Sequence, residues 1–240
     1  MKLKEIHKIK DRKKLLNDVK RYNSMNETDK FKIEKKNMYI CYDWNTEAGR
    51  LDGHYFLQDL FMAKKVILNN PIHHYDIGSR IDGFVAHLLT TMEVTLIDIR
   101  PLTFAIEGLK FVQGDATNLS TIKEQEIESI SCLHALEHFG LGRYGDSINP
   151  YAYITALHEL ERVLKKGGML YLSVPIGDEE KVCFNAHRIF NPLTIIEELT
   201  CMELVEFSYI ENMEIKKCNP RNENNKYGPY SCGLFIFRKV

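Results

Sequence analysis

The sequence predicts an α/β fold in which a mainly parallel sheet carries helices on both faces. From His73 onward, short apolar runs alternate with segments of helical periodicity, as in βαβ units. Residues 75–83 read Tyr-Asp-Ile-Gly-Ser-Arg-Ile-Asp-Gly, which places a glycine turn between a strand and a helix. Asp98 closes the next apolar run, 20 residues after Gly78. This layout is typical of a nucleotide-binding unit, where a helix N-terminus binds an anion and the acid binds ribose hydroxyls.

Composition restricts the class of protein. Of 240 residues, 44% are hydrophobic, which suits one large domain, or a domain with an extension, and excludes a disordered chain. No apolar run reaches the roughly 18 residues of a membrane span, and the first residues lack the apolar core of a signal peptide. The six cysteines form no C-x-x-C pair, so neither a zinc knuckle nor a redox motif is indicated. We expect a cytoplasmic protein with reduced thiols, and abundant Lys, Asn and Ile favour a bacterial source.

The net charge of −1 conceals a basic N-terminal segment. Residues 1–36 hold 13 Lys and Arg against 6 Asp and Glu, a balance of +7. Such an arm can bind nucleic acid or an acidic membrane surface. A solvated amphipathic helix is the simpler interpretation and the one we favour.

The N-terminal region is predicted to be largely helical. It comprises a polar helix at 1–36, an irregular aromatic segment at 37–50 and a helix from its cap Asp52 to about Leu68. The aromatic residues Tyr42, Trp44 and Tyr55 could form a lid or pack the N-terminal layer. Pro71 then separates a helical extension or lid, 1–70, from a second domain, 71–240.

The domain after Pro71 contains seven predicted strands and four predicted helices. The strands are expected at 73–77, 94–99, 109–113, 129–134, 169–174, 203–209 and 234–239, and the helices at 83–91, 120–126, 150–164 and 192–201. Pro150 and Pro192 stand where first-turn prolines belong, and Gly167 suits a helix end. The polar stretch 211–232 is expected to form a long loop or hairpin.

The glycine turn departs from the dinucleotide pattern in an informative way. Gly78 and Gly83 match G-x-G-x-x-G, whereas Arg80 occupies the central position. In dinucleotide enzymes the central glycine lets the backbone approach a diphosphate, which an Arg side chain would obstruct. A cofactor with an adenosine and no diphosphate fits better, and a guanidinium could bind the carboxylate of S-adenosylmethionine. The alternative is an ordinary tight turn before a helix.

Five segments resemble, in order, the motifs of class I S-adenosylmethionine-dependent methyltransferases. They are Tyr-Asp-Ile-Gly-Ser-Arg at 75–80, Leu-Ile-Asp-Ile-Arg-Pro at 96–101, Phe-Val-Gln-Gly-Asp-Ala-Thr at 111–117, His-Ala-Leu-Glu-His at 134–138 and the run at 161–175. Segments at 52–60, 142–146 and 185–190 resemble a little-characterised bacterial branch of that superfamily. The resemblance implies a Rossmann-like three-layer αβα sandwich, with a seven-stranded sheet of order 3-2-1-4-5-7-6 and strand 7 antiparallel.

The resemblance also implies a set of cofactor-binding residues. For S-adenosylmethionine, and for its product S-adenosylhomocysteine, these are Asp76, Gly78, Ser79, Arg80, Asp98, Ile99, Asp115, Ala116 and His134. Asp98 would bind the ribose and Asp115 the adenine. His134 would line the wall near the sulfonium.

Methyl transfer to a hydroxyl needs a base, and imidazole suits that role at neutral pH. We predict that His138 is the base, held by Glu137 or Asp146, with His187 as the second choice. A hydrogen-bonded structural histidine is the ordinary alternative. We expect no metal, although His134, Glu137 and His138 stand at i, i+3 and i+4 and could bind one on a helical turn.

The acceptor side combines cationic and aromatic residues, namely His54, Tyr55, Gln58, Arg143, Tyr144 and Arg188. Arginines and histidines favour a small anionic acceptor, such as a phosphorylated or nucleotide-linked carbohydrate, with O-methylation preferred. The alternatives are an RNA methyltransferase guided by the basic arm, which the near-neutral charge disfavours, and a non-catalytic cofactor-binding protein. We expect a monomer or a homodimer.

Overall fold

The computed structural model of the protein describes residues 3–240 except 29, 40, 42, 43, 45, 50 and 52. The chain divides into two compact units, Met1–Arg50 and Leu51–Val240. The division falls before residue 51 rather than after residue 70, because the helix Tyr55–Asn69 buries its apolar face within the larger unit. The predicted cap Asp52 and the aromatic Tyr42 lie outside the described residues.

The smaller unit is built on helix α1, Leu3–Met25, with a short 3-10 helix at Lys35–Asn37. The predicted helix over 1–36 therefore ends early. Its end follows from Asn26, whose side-chain oxygen accepts hydrogen bonds from the backbone N–H and the hydroxyl of Thr28. Such local bonds favour a turn over a continued helix.

The larger unit contains the alternating elements. Its strands are β1 (His74–Ile77), β2 (Val94–Asp98), β3 (Leu109–Gln113), β4 (Ile127–Leu133), β5 (Leu164–Ile176), β6 (Lys181–Cys183), β7 (His187–Ile189), β8 (Met202–Glu211), β9 (Glu214–Lys217) and β10 (Ser231–Lys239). Its helices are α2 (Tyr55–Asn69), α3 (Ala86–Leu88), α4 (Ala152–Val163) and α5 (Pro192–Glu198), with a π turn at Ile81–Val85 and a 3-10 turn at Leu136–His138. None of the helices in the described ranges has both the length and the apolar character needed to cross a membrane.

Eight strands form one sheet in the order β3-β2-β1-β4-β5-β10-β8-β9, and β6 and β7 form a separate hairpin. Strands β1 to β5 run parallel, whereas β10 is antiparallel to both of its neighbours. The α/β, Rossmann-like fold class is confirmed, and the sheet extends the predicted order by one strand. The added strand β9 pairs with β8 through a turn at Asn212 and Met213, whose φ angles are 50° and 63°.

The topology creates a crevice at one edge of the sheet. Strand β1 lies between β2 and β4, so the chain changes direction across the sheet at this point. Ligands of open α/β sheets bind outside the carboxyl ends of the strands at such a switch point. Here Gly78, Asp98, Gly114 and His134 end or follow β1, β2, β3 and β4, so these residues meet at the same edge.

The predicted helix at 120–126 is wrong, because this segment forms turns bound to α4. Nη1 and Nη2 of Arg162 donate to the carbonyl oxygens of Ile122 and Leu119 at 3.1 and 3.0 Å. The N–H of Gln125 donates to the carbonyl of Arg162 at 3.0 Å. These long-range bonds satisfy backbone groups that a helix would have paired internally.

The predicted helix at 83–91 forms only in part. The π turn at Ile81–Val85 leads into α3, which is a regular α-helix only over Ala86–Leu88. Gly83 interrupts the helical backbone with φ −122° and ψ −105°. A Cβ at Gly83 would lie 2.1 Å from Oδ2 of the buried Asp59, so a larger residue here would displace that carboxylate.

We expect Arg162→Ala to lower the free energy of unfolding by about 2–3 kcal/mol, because two partly buried carbonyl oxygens and the Glu159 carboxylate lose a charged donor. Chemical denaturation followed by circular dichroism measures the change. Arg238→Ala is the control, since Arg238 pairs with Glu203 at the exposed surface, and it should cost less than about 1 kcal/mol. Equal small losses in the two variants would contradict this account.

Candidate active site

The crevice at the carboxyl edge of β1–β4 has two adjoining lobes. The apolar lobe spans about 780 Å³, counting space open to solvent, and is lined chiefly by Ile77, Ile97, Asp98, Ile99, Asp115, Ala116 and Phe139. The charged lobe spans about 770 Å³ on the same measure and is lined by Tyr55, Gln58, Asp59, Ser79, Arg80, Glu137, Arg143, His187 and Tyr230. Gly78, Arg100, His134, His138 and Tyr144 line both lobes. Volumes of this size are usual for small-molecule sites.

The turn after β1 brings the backbone close to the crevice. Gly78 adopts φ +67°, and a Cβ there would lie 3.2 Å from Cβ of Ala135. Beneath the turn, the Asp76 carboxylate accepts hydrogen bonds from the backbone N–H of Ser79 at 2.9 Å, from its hydroxyl at 2.7 Å, and from the hydroxyl of Ser131. Burial raises the pKa of Asp76 to about 6, although these three hydrogen bonds act to lower it. Asp76 therefore shapes the turn and lines neither lobe.

Asp98 stands at the mouth of the apolar lobe. Its carboxylate accepts bonds from the backbone N–H of Arg100 at 2.8 Å and from Nε and Nη2 of the same guanidinium at 3.0 and 2.6 Å. This guanidinium also lies 4.5 Å from the centroid of the Tyr144 ring. Asp115 lies further along the lobe, where it accepts two bonds from Thr117 at 2.8 Å each.

Arg80 lies at the exposed mouth of the charged lobe. Its Nε and Nη2 donate to the two carboxylate oxygens of Asp82, both at 3.1 Å, and its guanidinium lies 5.5 Å from the Tyr55 ring centroid. The hydrogen bonds and charge of Asp82 raise the pKa of Arg80. Arg80 therefore lines the charged lobe, and its role in binding the methionine carboxylate stays a prediction.

His134 follows β4 in a left-handed conformation, with φ 50°. Its Nδ1 lies 2.7 Å from Oε1 of Glu137, and its Nε2 lies 3.3 Å from Sγ of Cys232. Burial opposes the imidazolium, but Glu137 and Cys232 outweigh it and raise the pKa of His134 well above its usual value. Burial likewise opposes ionisation of Glu137, but His134 and the neighbouring donors hold its pKa below the usual range.

His138 has one bonded and one available ring nitrogen. Nδ1 lies 2.6 Å from the carbonyl oxygen of Ala186 and 3.2 Å from Nη1 of Arg143. The shorter contact is to an oxygen that only accepts, so we assign the proton to Nδ1. Nε2 then carries a lone pair, 3.6 Å from Oε1 of Glu137. Burial lowers the pKa of His138, despite the attraction of Glu137. Of the two acids predicted to hold His138, Glu137 is the one placed beside it.

Two predicted site residues have backbone groups as hydrogen-bond partners, although one of them, Asp146, also lines the apolar lobe. Asp146 accepts bonds from the backbone N–H groups of Gly142 and Tyr144, both at 3.1 Å, and so closes its own loop rather than holding His138. Arg188 is buried and donates to the carbonyl oxygens of Phe139 at 2.6 Å and of Pro150 at 3.4 Å. It therefore fixes the chain after β4 and does not line the acceptor side.

The remaining predicted acceptor residues lie around the charged lobe. Gln58 and Tyr55 line it from α2, and Arg143 and Tyr144 line it from the loop after β4. His187, the second choice for the base, lines it from β7. His54 begins α2 and its ring stacks on that of His134, with centroids 4.6 Å apart. Burial, followed by the charge of His134, lowers the pKa of His54 to about 4.

The charged and polar residues of the crevice that were not predicted include Asp59, Arg100 and Tyr230, and Cys232 was not predicted as the neighbour of His134. Arg100 could have been predicted from the sequence, because it stands two residues after Asp98. Tyr230 and Cys232 fell in or at the end of a stretch predicted as a polar loop. The cluster of possible metal ligands found among the described residues is His54, His134 and Cys232, rather than the predicted alternative of His134, Glu137 and His138.

Comparison with known proteins places the chain in a family. Residues 105–233 match the family described as "Caenorhabditis protein of unknown function, DUF268". The chain belongs to the DUF268 family. The matched part of this DUF268 protein begins after β2, so it does not include β1 or β2. It includes His134, Glu137, His138 and Cys232. The bacterial branch inferred from short segments stays a prediction, and no curated protein sequence matches the chain.

Solved structures identify the fold of the DUF268 chain. The chain is similar to the [4+2]-cyclase SpnF, with a TM-score of 0.56 and 16% identity, covering 76% of this chain and 79% of that one. It is similar to the 1,6-didemethyltoxoflavin-N1-methyltransferase of Burkholderia thailandensis with bound S-adenosylhomocysteine (TM-score 0.56, 18% identity, 78% and 79% coverage). It is also similar to the N-methyltransferase NodS of Bradyrhizobium japonicum WM9 in complex with S-adenosylhomocysteine (0.52, 17%, 82% and 93%). The DUF268 chain therefore has a methyltransferase fold.

The raised pKa of Asp76 predicts a pH-dependent stability. The folded protein keeps the Asp76 proton up to about pH 6, whereas an unfolded chain loses it near 3.8. Stability should therefore fall as the pH rises from about 4 to about 6. Asp76→Asn removes this loss, and at pH 7 it should be more stable than the unmodified protein, by on the order of 2 kcal/mol.

Denaturation of both proteins at several pH values measures the difference, with Asp18→Asn on the exposed face of α1 as the control for loss of one charge. Stability curves for Asp76→Asn that run parallel to those of the unmodified protein between pH 4 and 6 would contradict the assignment.

Proposed function

We propose that this protein is an S-adenosylmethionine-dependent methyltransferase that acts on a small, anionic acceptor, with O-methylation of a carbohydrate-related molecule favoured. The proposal rests on one arrangement, in which Gly78, Asp98 and Asp115 follow or end three parallel strands at the same edge of the sheet. A hydrogen-bonding acid beside an apolar slot and a glycine turn matches the chemistry of an adenosine.

The residues of the apolar lobe fit an adenosyl group. Ile97, Ile99 and Ala116 supply apolar walls for a purine, and Asp115 stands in the same lobe to accept a hydrogen bond from its amino group. Asp98 accepts three hydrogen bonds from Arg100, two at Oδ1 and one at Oδ2. Oδ2 therefore retains a lone pair for a ribose hydroxyl.

The mouth of the charged lobe fits an anionic acceptor. Among the described residues, Arg143 has no ion-pair partner, and its Nη1 donates to the carbonyl of Ala186 at 2.9 Å. The guanidinium lies 5.1 Å from the Tyr144 ring centroid, which orients it without neutralising its charge. Such a group binds phosphate or carboxylate with two parallel hydrogen bonds.

The proposed reaction uses His138 as the base. When bound, S-adenosylmethionine supplies an electrophilic methyl group. As the acceptor oxygen bonded to the methyl carbon, the bond from that carbon to sulfur would break and S-adenosylhomocysteine would leave. The acceptor proton would pass to Nε2 of His138, whose lone pair is available because Nδ1 donates to Ala186. The Glu137 carboxylate, 3.6 Å from Nε2, stabilises the resulting imidazolium.

Asp98→Ala and the isosteric Asp98→Asn should weaken binding of S-adenosylhomocysteine by about 10–100-fold, because a charged acceptor of the ribose hydroxyls is lost. Calorimetric titration measures the affinity. Asp18→Ala, which removes an exposed carboxylate in the smaller unit, is the matched control and should leave affinity unchanged. Unaltered affinity in both Asp98 variants, or no binding to the unmodified protein, would refute the cofactor assignment.

His138→Gln should lower kcat by about 10²–10⁴-fold while leaving affinity for S-adenosylhomocysteine nearly unchanged, because the base acts only in the chemical step. Transfer of a tritiated methyl group to a panel of sugar phosphates and nucleotide sugars measures turnover. His158→Gln, on the exposed face of α4, is the control. Full activity of His138→Gln, or a larger loss in His187→Gln, would remove His138 from the base role.

A further inference from the structure

We propose that His54, His134 and Cys232 bind a divalent metal ion of the zinc class beside the charged lobe. One ring nitrogen from each histidine and Sγ of Cys232 all lie within 4.8 Å of one another. Nε2 of His134 lies 3.3 Å from the sulfur. In a tetrahedral zinc site the ligand atoms are about 3.3–3.8 Å apart, given metal–ligand bonds of about 2.0–2.3 Å.

The surroundings of His134 are those of a metal-binding histidine. Metal-bound imidazoles commonly donate their second N–H to a carboxylate, which fixes the ring and its tautomer. Glu137 provides this carboxylate, 2.7 Å from Nδ1, and directs Nε2 towards Cys232. The pair is fully buried, so its orientation does not depend on solvent.

His54 supplies the independent observation. Its Nε2 is buried and has no hydrogen-bond partner among the described residues. A buried polar atom without a partner costs free energy, and a metal ion would remove that cost. Gln58 lies next to the third proposed ligand, since its Oε1 is 3.5 Å from Sγ of Cys232. The same oxygen accepts a hydrogen bond from the hydroxyl of Ser173 at 2.8 Å.

The donor set decides the class of metal. Two imidazoles and one thiolate favour zinc, whereas magnesium and calcium prefer oxygen ligands. On binding, the metal displaces the proton shared between Nε2 of His134 and Sγ of Cys232, and this proton passes to solvent. Three protein ligands leave one coordination position for water or an added ligand. The ordinary alternative is a hydrogen bond between the thiol and the imidazole with no metal.

The test uses the full chain, stripped with a chelator, dialysed and titrated with Co²⁺. We expect saturation at one equivalent, with thiolate-to-cobalt charge-transfer absorption and the intense d–d bands of a tetrahedral site, and displacement by Zn²⁺. Cys232→Ser should abolish the charge-transfer band, and His54→Ala should weaken Co²⁺ binding at least about tenfold. Cys201→Ser and His158→Ala change exposed residues elsewhere and should behave like the unmodified protein.

X-ray absorption of the zinc-loaded, unmodified protein covers the case in which a variant does not fold. One sulfur and two imidazole nitrogens in the zinc shell would support the proposal. Absence of stoichiometric cobalt binding, an unchanged charge-transfer band in folded Cys232→Ser, or a zinc shell without sulfur would overturn it. None of these measurements requires a cofactor or an acceptor, so the result is independent of the proposed methyl transfer.

Discussion

A carboxylate removed from water requires cationic or donating partners, and Glu137, which lines the charged lobe, is such a carboxylate. Its Oε1 lies 2.7 Å from Nδ1 of His134 and 3.6 Å from Nε2 of His138. The single acid therefore orients two imidazoles with different tasks. His134 is directed towards Cys232, and His138 keeps a lone pair at the crevice. Both the proposed base and the proposed metal site depend on this buried group.

Strand direction explains how residues far apart in the chain reach this point. Because β10 runs antiparallel to β5, its first residues lie at the same edge as the carboxyl ends of the parallel strands. Cys232 therefore reaches His134 from a strand that the sequence places last. Ser173 on β5 links the two sides, since its carbonyl accepts from the N–H of His134 and its hydroxyl donates to Gln58. An all-parallel sheet would have placed Cys232 elsewhere.

Features that depend on neighbouring residues in the sequence could be predicted, whereas features that depend on contacts between distant residues could not. Gly78 and Asp98 were predictable because strand, turn and acid follow one another within a single βαβ unit. The helix at 120–126 was wrong because Arg162, some forty residues later, binds the backbone of that segment. Arg188 was assigned to an anionic acceptor from its charge alone. Its actual partners are carbonyl oxygens of the chain after β4, and no sequence spacing encodes them.

The charged side chains of the crevice lie at two different depths. Asp59 and Glu137 are buried at the floor of the charged lobe, whereas Arg80 and Arg143 stand at its exposed mouth. Glu137 is paired with His134, and burial raises the pKa of Asp59, so the buried acids are largely compensated within the protein. The arginines lie towards solvent and keep their charge. An anionic acceptor entering from solvent would therefore meet these arginines first.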